Sequence, residues 1–393
     1  MKPTRPPGIV CLSNVYDEHY HRARGEDIER CIGVVKRRDL FQCLAAATGR
    51  EVIILSSPPK PKARRKPRWL PAVETTFSNH RQFFCANWDV PKLRIPLAWF
   101  FYARQVLRHT RSGDLVLVDN YEFIYIVAAR VLQLFRRVTF ILDYEDGKHA
   151  IERSWSRVLG WLAEAGGRGL VRGAFLATPA LGQRLPDSVP KETVPGFVPD
   201  KPPPKMDATD GPVCFLYSGG LNYERGIDLL LESLPHLPEN GWRLDITGHG
   251  PLAESVARFA DEPRWRDKVT FHGALPPDAF NQLMAGCHAG LNCQRSSTPI
   301  SEVTFPSKVF TYLAAGLLVV SSKASGVETV CGAACLYYEE ETPASLAAAM
   351  KTVIENFFAV RQKLDVSAVF ERYTIEATTL RVKQLLRTVG LEK

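Results

Sequence analysis

"TFPSKVFTYLAAGLLVV", Thr304–Val320, is the stretch from which the fold is read. Pro306 suits the first turn of a helix, where its missing N–H is not needed, and the N–H groups of Ser307 and Lys308 are left to donate elsewhere. "FTYLAAG" then supplies a short helix with Gly316 as its stop signal. "LLVVSS" follows at once, an apolar run suited to a strand buried on both faces. The turn itself admits two readings: the capped start of a core helix with an exposed lysine, or an anion-facing turn to which Lys308 adds a full positive charge.

Working outward, the same kind of run recurs as "VCFLYS", "RLDITG", "KVTFHG", "AGLNC" and "ACLYY", with helical segments between. One of these segments opens on Thr342 as cap and Pro343 at the first helical position. Upstream, "GIVCLS", "EVIILSS", "DLVLVDN", "VTFILD" and "AFLATP" alternate with segments such as "RDLFQCLAAATG" and "FIYIVAARVLQLF". Strands alternating with helices imply parallel sheets covered on both faces. The Pro- and Asp-rich "VPGFVPDKPPPKMDATDGP" reads as a linker, and 393 residues are enough for two cores. The expected organisation is a Rossmann-like domain over residues 1–198, a second over 199–368, and an amphipathic segment, 369–393, packing across the joint.

A content of 45% hydrophobic and 23% charged residues fits a globular protein and argues against disorder or a fibrous repeat. The nine cysteines lack zinc-site spacing, even in "CGAAC" (Cys331 and Cys335), and read as reduced, buried thiols of a cytoplasmic protein. The first residues, "MKPTRPPGIVCLSN", carry no long apolar core followed by a small-residue cleavage site, so a secretory signal is not expected, and no run reaches about 20 apolar residues. The net charge of +8 is uneven: residues 1–200 hold 31 Lys+Arg against 20 Asp+Glu, which points to an anionic partner for the first half. "SSPPKPKARRKPRWLP", Ser56–Pro71, is an exposed loop by its prolines, either simply solvated or, over residues 58–71, a contact with an anionic membrane peripheral to which the protein works. "LAWFFYARQVLRH" is an amphipathic helix, with a lipid-headgroup or hydrophobic-acceptor contact as the alternative.

In open parallel sheets ligands bind beyond the carboxyl ends of the strands. "LYSGGLNYERGIDLLLESL" places Gly219 and Gly220 at such an end and Arg225 at the start of a helix, an arrangement that suits phosphate, although a plain tight turn fits the glycines as well. The spacing is neither GxGxxG nor GxxxxGK[ST].

Taken in order, "YSGGLNYERGIDLLLESL", "LDITGHGP", "VTFHGALPPDAFNQLMAGCHAGLN" and "FPSKVFTYLAAGLLVVSS" resemble the C-terminal domain of retaining GT-B glycosyltransferases of the family 4 type, over residues 212 to 355. The resemblance implies the α/β GT-B fold, two Rossmann-like doubly wound domains facing a cleft. It also implies transfer from a nucleoside diphosphate sugar (UDP- or GDP-sugar) to a glycan, lipid-linked or small-molecule acceptor, with no metal and no nucleic acid. Gly219, Gly220 and Arg225 match the diphosphate-facing turn. Gly248, His249 and Gly250 match the turn near the base, and Phe271 to Gly273 with Leu275 the base pocket. Ser307 and Lys308 match the phosphate-facing turn of the donor helix. Thr311 stands where the family commonly has a ribose-binding glutamate, and Glu302 lies nine residues before it rather than eight. A hydroxyl lacks the bidentate, charge-assisted grip of a carboxylate. Glu302 reaches the sugar through a lengthened loop, or donor binding is unusual, or turnover is lost. In "ILDYEDGKH", His149 and Glu145 are the first choices for contacting sugar or acceptor, against an acidic surface loop. "SNVYDEHYHRARGED" offers Asp17, Glu18, His19 and His21. The alternatives to an active transferase are a nucleotide-sugar-binding scaffold and a nucleotide-sugar epimerase of the same shape.

Overall fold

The computed structural model describes residues 6–15, 34–57, 68–90, 93–146, 155–203 and 211–391, without the side chains of residues 34, 68, 89, 155, 156, 300, 302 and 325. Two compact units form. Unit 1 comprises Met1–Ala177, Leu181–Val194 and Ile375–Lys393; unit 2 comprises Thr178–Ala180 and Pro195–Thr374.

In unit 1 the order is β1 Ile9–Leu12, α1 Val34–Thr48, β2 Val52–Ser56, β3 Arg68–Leu70, β4 Val73–Phe77, β5 His80–Phe84, β6 Asn87–Asp89, α2 Arg94–His109, β7 Leu115–Asp119, α3 Phe123–Phe135, β8 Thr139–Tyr144, α4 Trp155–Gly167, β9 Val171–Leu176 and β10 Lys191–Thr193. The sheet runs β10-β9-β8-β7-β1-β2-β5-β4, with β3 and β6 as a separate pair. All five runs read as buried strands are parallel members of it. Their burial on both faces is why they carry continuous apolar sequence rather than alternation. The antiparallel hairpin β4–β5 is an addition the periodicity did not announce. It turns at Ser78 and Asn79, with φ of 44° and 69°, the two positive values a tight two-residue hairpin needs. The chain returns to unit 1 at its end, where the helix Ile375–Thr388 packs on α1.

Unit 2 follows as β11 Val213–Gly220, α5 Ile227–Ser233, β12 Trp242–His249, α6 Ala253–Asp261, β13 Val269–Phe271, α7 Pro277–Ala285, β14 Ala289–Asn292, α8 Pro299–Val303, α9 Lys308–Ala314, β15 Leu318–Ser321, α10 Val327–Cys331, β16 Cys335–Tyr337, α11 Pro343–Lys363 and α12 Ser367–Tyr373. The terminal helix of unit 1 is therefore α13. The sheet β13-β12-β11-β14-β15-β16 is parallel throughout. Its two faces are separate apolar layers, one around Phe215, Tyr217 and Ile246, the other around Leu216, Phe310 and Leu313. The strand order reverses at β11 and β14, so the crevice beyond their carboxyl ends is where a ligand has room. The eight described cysteines are buried free thiols, and no helix of the described residues is long and apolar enough to cross a membrane.

Candidate active site

At the carboxyl end of β11 the backbone is drawn tight. Gly219 has φ 127° and Gly248, its partner on β12, φ 148°. A Cβ on Gly248 would sit 1.8 Å from the Gly219 carbonyl oxygen, so only glycine lets the two turns touch. Tyr217 locks the turn from beneath, its hydroxyl donating to the Gly220 and Arg225 carbonyls at 2.9 and 3.1 Å. Leu221 N–H donates to the His249 carbonyl at 2.9 Å, which places exposed His249 and half-buried Gly250 alongside the glycine turn.

Helix α9 reaches the same point. Tyr312 is fully buried, and its hydroxyl accepts from Ser218 N–H at 2.8 Å. Lys308, one turn earlier on the same helical face, is thereby aimed at the end of β11. Its Nζ is buried, lies 3.8 Å from the centre of the Tyr217 ring, and has no hydrogen-bond partner among the described residues. A Cβ added to Gly219 would stand 3.6 Å from that Nζ. Burial, helped by the nearby Arg225 and opposed by Cys293, pulls the ammonium down from 10.5 to about 7. An ammonium stripped of water and left without an acceptor is an unfavourable arrangement unless an anion completes it.

The second cation is positioned by the loop after β14. Arg225 closes a short turn in which Asn222 Oδ1 accepts its N–H at 3.0 Å, and its guanidinium donates to Gln294 Oε1. Gln294 is fully buried and itself reaches Ser301 Oγ. Arg295 pairs with Asp228 at 2.6 Å, which fixes the same loop. Gly219, Gly220, Arg225, Gly248, His249, Gly250 and Lys308 are thus brought to one strand end. Ser307 and Thr311 are exposed, and Thr311 Oγ1 only donates back to the Ser307 carbonyl at 3.3 Å. Glu302 lies in α8, with its side chain outside the described residues. Sequence reasoning missed Tyr217, Gln294 and Tyr312. A signal existed for two of them: Tyr217 stands two residues before the glycine pair, and Tyr312 four after Lys308.

Unit 1 carries its own cluster at its strand-order reversal, between β1 and β7. Asp119 accepts from Ser13 Oγ at 2.8 Å and pairs with Arg37 at 3.0 Å. Asn120 adopts φ 56°, and its Oδ1 accepts the N–H groups of Glu145 and Asp146 at 2.7 and 2.8 Å. The Glu145 carboxylate pairs with Lys36. Burial would raise Glu145, but Lys36 and Arg37 outweigh it and hold the group below the usual carboxylate range. Asp143, fully buried beside it, is pushed well above the usual carboxylate range by burial and then by Glu145. His149, the residues Asp17, Glu18, His19 and His21, and residues 58–67 lie outside the described residues. Cys214, Asp245 and Cys287 do come together, with Cys214 Sγ 3.1 Å from Asp245 Oδ2, but at the start of β11, away from the glycine turn.

Residues 212–356 match the family model described as Glycosyl transferases group 1. No curated protein sequence matches the chain. Among solved structures, it is similar to a sucrose-phosphate synthase from Thermosynechococcus elongatus, 16% identical with a TM-score of 0.69, over 98% of this chain and 99% of that one. The catalytic domain of Starch Synthase IV from Arabidopsis thaliana, bound to ADP and acarbose, gives 10%, 0.68, 98% and 99%. Anabaena Alr3699/HepE in complex with UDP and glucose gives 13%, 0.66, 97% and 100%. The fold is thereby the two-domain GT-B fold of these proteins.

Proposed function

We propose that the protein is a glycosyltransferase that moves a sugar from a nucleoside diphosphate sugar to an acceptor held by unit 1. The observation that carries this reading is Lys308. Its buried ammonium, without a hydrogen-bond acceptor, stands over Tyr217 and against a glycine turn that lets a ligand come close to the backbone. A diphosphate supplies the missing acceptors. As the glycosidic bond to it breaks, negative charge develops on the leaving oxygen, and Lys308 with the Gln294-held Arg225 is placed to stabilise that charge. Two cations so arranged can do what a metal does elsewhere, so the reaction is proposed to be metal-independent. Gly219 and Gly220 would face the diphosphate, Gly248, His249 and Gly250 the base, and Ser307 the phosphate.

The match over residues 212–356, and relatives in fold that bind UDP or ADP, support this assignment of the donor. Retention, with the leaving phosphate assisting deprotonation of the acceptor hydroxyl, rests on the resemblance of "PSKVFTYLAAG". So does the role of Glu302, while that of His149 rests on its place in "ILDYEDGKH" after a strand, the face from which the resembled family often supplies a histidine or acidic group. Glu145, ionised and fixed by Asn120 and Lys36, is the acidic group of unit 1 proposed to face sugar or acceptor. The acceptor is proposed to be a glycan or lipid-linked molecule, with the protein cytoplasmic and residues 58–71 a peripheral contact with anionic membrane.

One observation favours a second reading, a nucleotide-sugar-binding scaffold: exposed Thr311 offers ribose a single hydroxyl, already turned back to its own helix. A panel of UDP, ADP and GDP sugars scored for thermal stabilisation, followed by release of nucleotide from the best hit, decides the matter. Stabilisation with release supports the transferase, and stabilisation without release supports the scaffold. No stabilisation by any member of the panel overturns both.

A further inference from the structure

Three ligand-bearing side chains that are far apart in sequence meet inside unit 2. Cys214 opens β11, Asp245 stands in the middle of β12, and Cys287 lies in the loop between α7 and β14. The two sulfurs and a carboxylate oxygen all lie within 4.8 Å of one another. Cys214 Sγ is 3.1 Å from Asp245 Oδ2 and 3.4 Å from Cys287 Sγ. Both thiols are fully buried, in the apolar layer that holds Leu216 and Leu313. The Asp245 side chain reaches solvent on one side, at 15% exposure. Surrounding groups fix these atoms from outside. His288 clamps the loop to β11: its Nδ1 accepts from Cys214 N–H at 2.9 Å, and its own N–H donates to the Cys214 carbonyl at 2.8 Å. His272 Nε2 lies 2.7 Å from Asp245 Oδ1, which leaves Oδ2 turned to the thiols. Carboxylates that ligate a metal are oriented by such outer hydrogen bonds. Contact with Cys287, aided by the Arg243 guanidinium and opposed by burial and Asp245, draws the Cys214 thiol below its ordinary value, the direction that metal ligation requires.

We infer that Cys214, Asp245 and Cys287 bind a zinc ion that ties β11, β12 and the α7–β14 loop together. Two thiolates with one carboxylate suit zinc over the hard cations magnesium and calcium. Zinc–sulfur bonds of about 2.3 Å and a zinc–oxygen bond of about 2.0 Å, arranged as a tetrahedron, put the sulfurs about 3.8 Å apart and each about 3.5 Å from the oxygen. The two contacts of Cys214 are about 0.4 Å inside those edges, a difference that small side-chain rotations supply. Water takes the fourth position, on the side where Asp245 reaches solvent. Two thiolates, a carboxylate and a divalent ion leave one negative charge. Arg243, which interacts with Cys214 and donates to the Gly286 carbonyl at 3.3 Å, offsets it. The cluster stands at the opposite end of β11 from the Gly219–Gly220 turn, so the ion is structural and the proposed transfer chemistry does not pass through it. The signal was not in the spacing: 73 residues separate the two cysteines, and the sheet alone brings them together.

The test is metal analysis of the full chain, kept reduced, loaded with zinc or cobalt and then desalted. Wild type should retain a single equivalent of zinc, and its cobalt form should show sulfur-to-cobalt charge-transfer bands together with the intense visible bands of a four-coordinate ion. His272→Ala should weaken zinc binding by about tenfold to a hundredfold, the usual effect of removing a group that orients a ligand. Cys214→Ser, Cys287→Ser and Asp245→Asn should each weaken it further, whereas Cys43→Ser, which removes a buried thiol of unit 1, should change neither the zinc content nor the cobalt spectrum. A chelator should lower the Tm of zinc-loaded wild type and leave that of Cys214→Ser unmoved. The wild-type zinc content and cobalt spectrum keep the inference open to refutation where a serine variant does not fold. No retained ion in wild type, a cobalt form without sulfur bands, or zinc retained equally by Cys214→Ser and Cys287→Ser overturns the inference. So does a Cys214–Cys287 disulfide in peptide maps of wild type incubated with zinc, since thiolates bound to the ion are not free to couple.

Discussion

Replacing Lys308 by Met should make the ligand-free protein more stable and its nucleotide binding worse. The unfolded chain takes up the lysine proton near 10.5, while the folded one, with the ammonium buried against Tyr217, does so only near 7. Between those values the unfolded state binds more protons, so this group makes stability rise with pH from about 7 to about 10.5. Below about 7 the cost is present in full. Converted at 1.36 kcal/mol per tenfold change in the proton equilibrium, the cost at pH 7 is at most about 4 kcal/mol. Methionine fills most of the same space and can lie on the aromatic ring. Thermal unfolding at pH 7 should therefore show a higher Tm for Lys308→Met, by up to roughly 10 °C on the usual scaling for a unit of this size. At pH 10 the gain should shrink to a small remainder. Adding UDP should raise the Tm of wild type and leave the variant nearly unmoved. Titration calorimetry near pH 8, in buffers of different ionisation enthalpy, should register proton uptake when wild type binds UDP and none in the variant, because a diphosphate restores the charge on the ammonium. A variant less stable than wild type at pH 7, a gain independent of pH, or undiminished stabilisation by UDP would refute the reasoning.

Thr311→Glu places a carboxylate on the exposed face of α9, and it should tighten UDP affinity by about 1 to 3 kcal/mol if that face meets ribose, the range of a charge-assisted hydrogen bond; affinity titration with UDP and with free diphosphate separates a ribose effect from a phosphate one. Gly248→Ala cannot avoid the Gly219 carbonyl 1.8 Å away, so denaturant unfolding should report a loss of several kcal/mol, or no folded unit 2 at all, while Gly273→Ala, which meets nothing within 4 Å, should cost far less.

The parallel sheets were legible because a strand buried on both faces must be apolar along its whole length, and "DLVLVDN" or "LLVVSS" says so without reference to any distant residue. The Gly219–Gly220 turn could be placed at a strand end, and the Pro306–Lys308 turn at a helix start, for the same reason: breakers and caps act on their own neighbours. The β4–β5 hairpin was not legible, since its strands are short, half exposed and mixed in polarity. Nor was the return of α13 to unit 1, where it packs on a helix more than three hundred residues away in the chain.

The site divides along the same line. Sequence alone determined that a lysine opens α9 and that an acidic run follows β8. Tertiary structure decided that Lys308 Nζ is buried on Tyr217, 91 residues distant, that Gln294 holds Arg225, and that Lys36 claims Glu145 while burial pushes Asp143 up. Charge, burial and pairing are properties of whichever groups folding brings within a few ångströms. The chain encodes those groups locally, but their energies depend on neighbours that only the packed sheets supply.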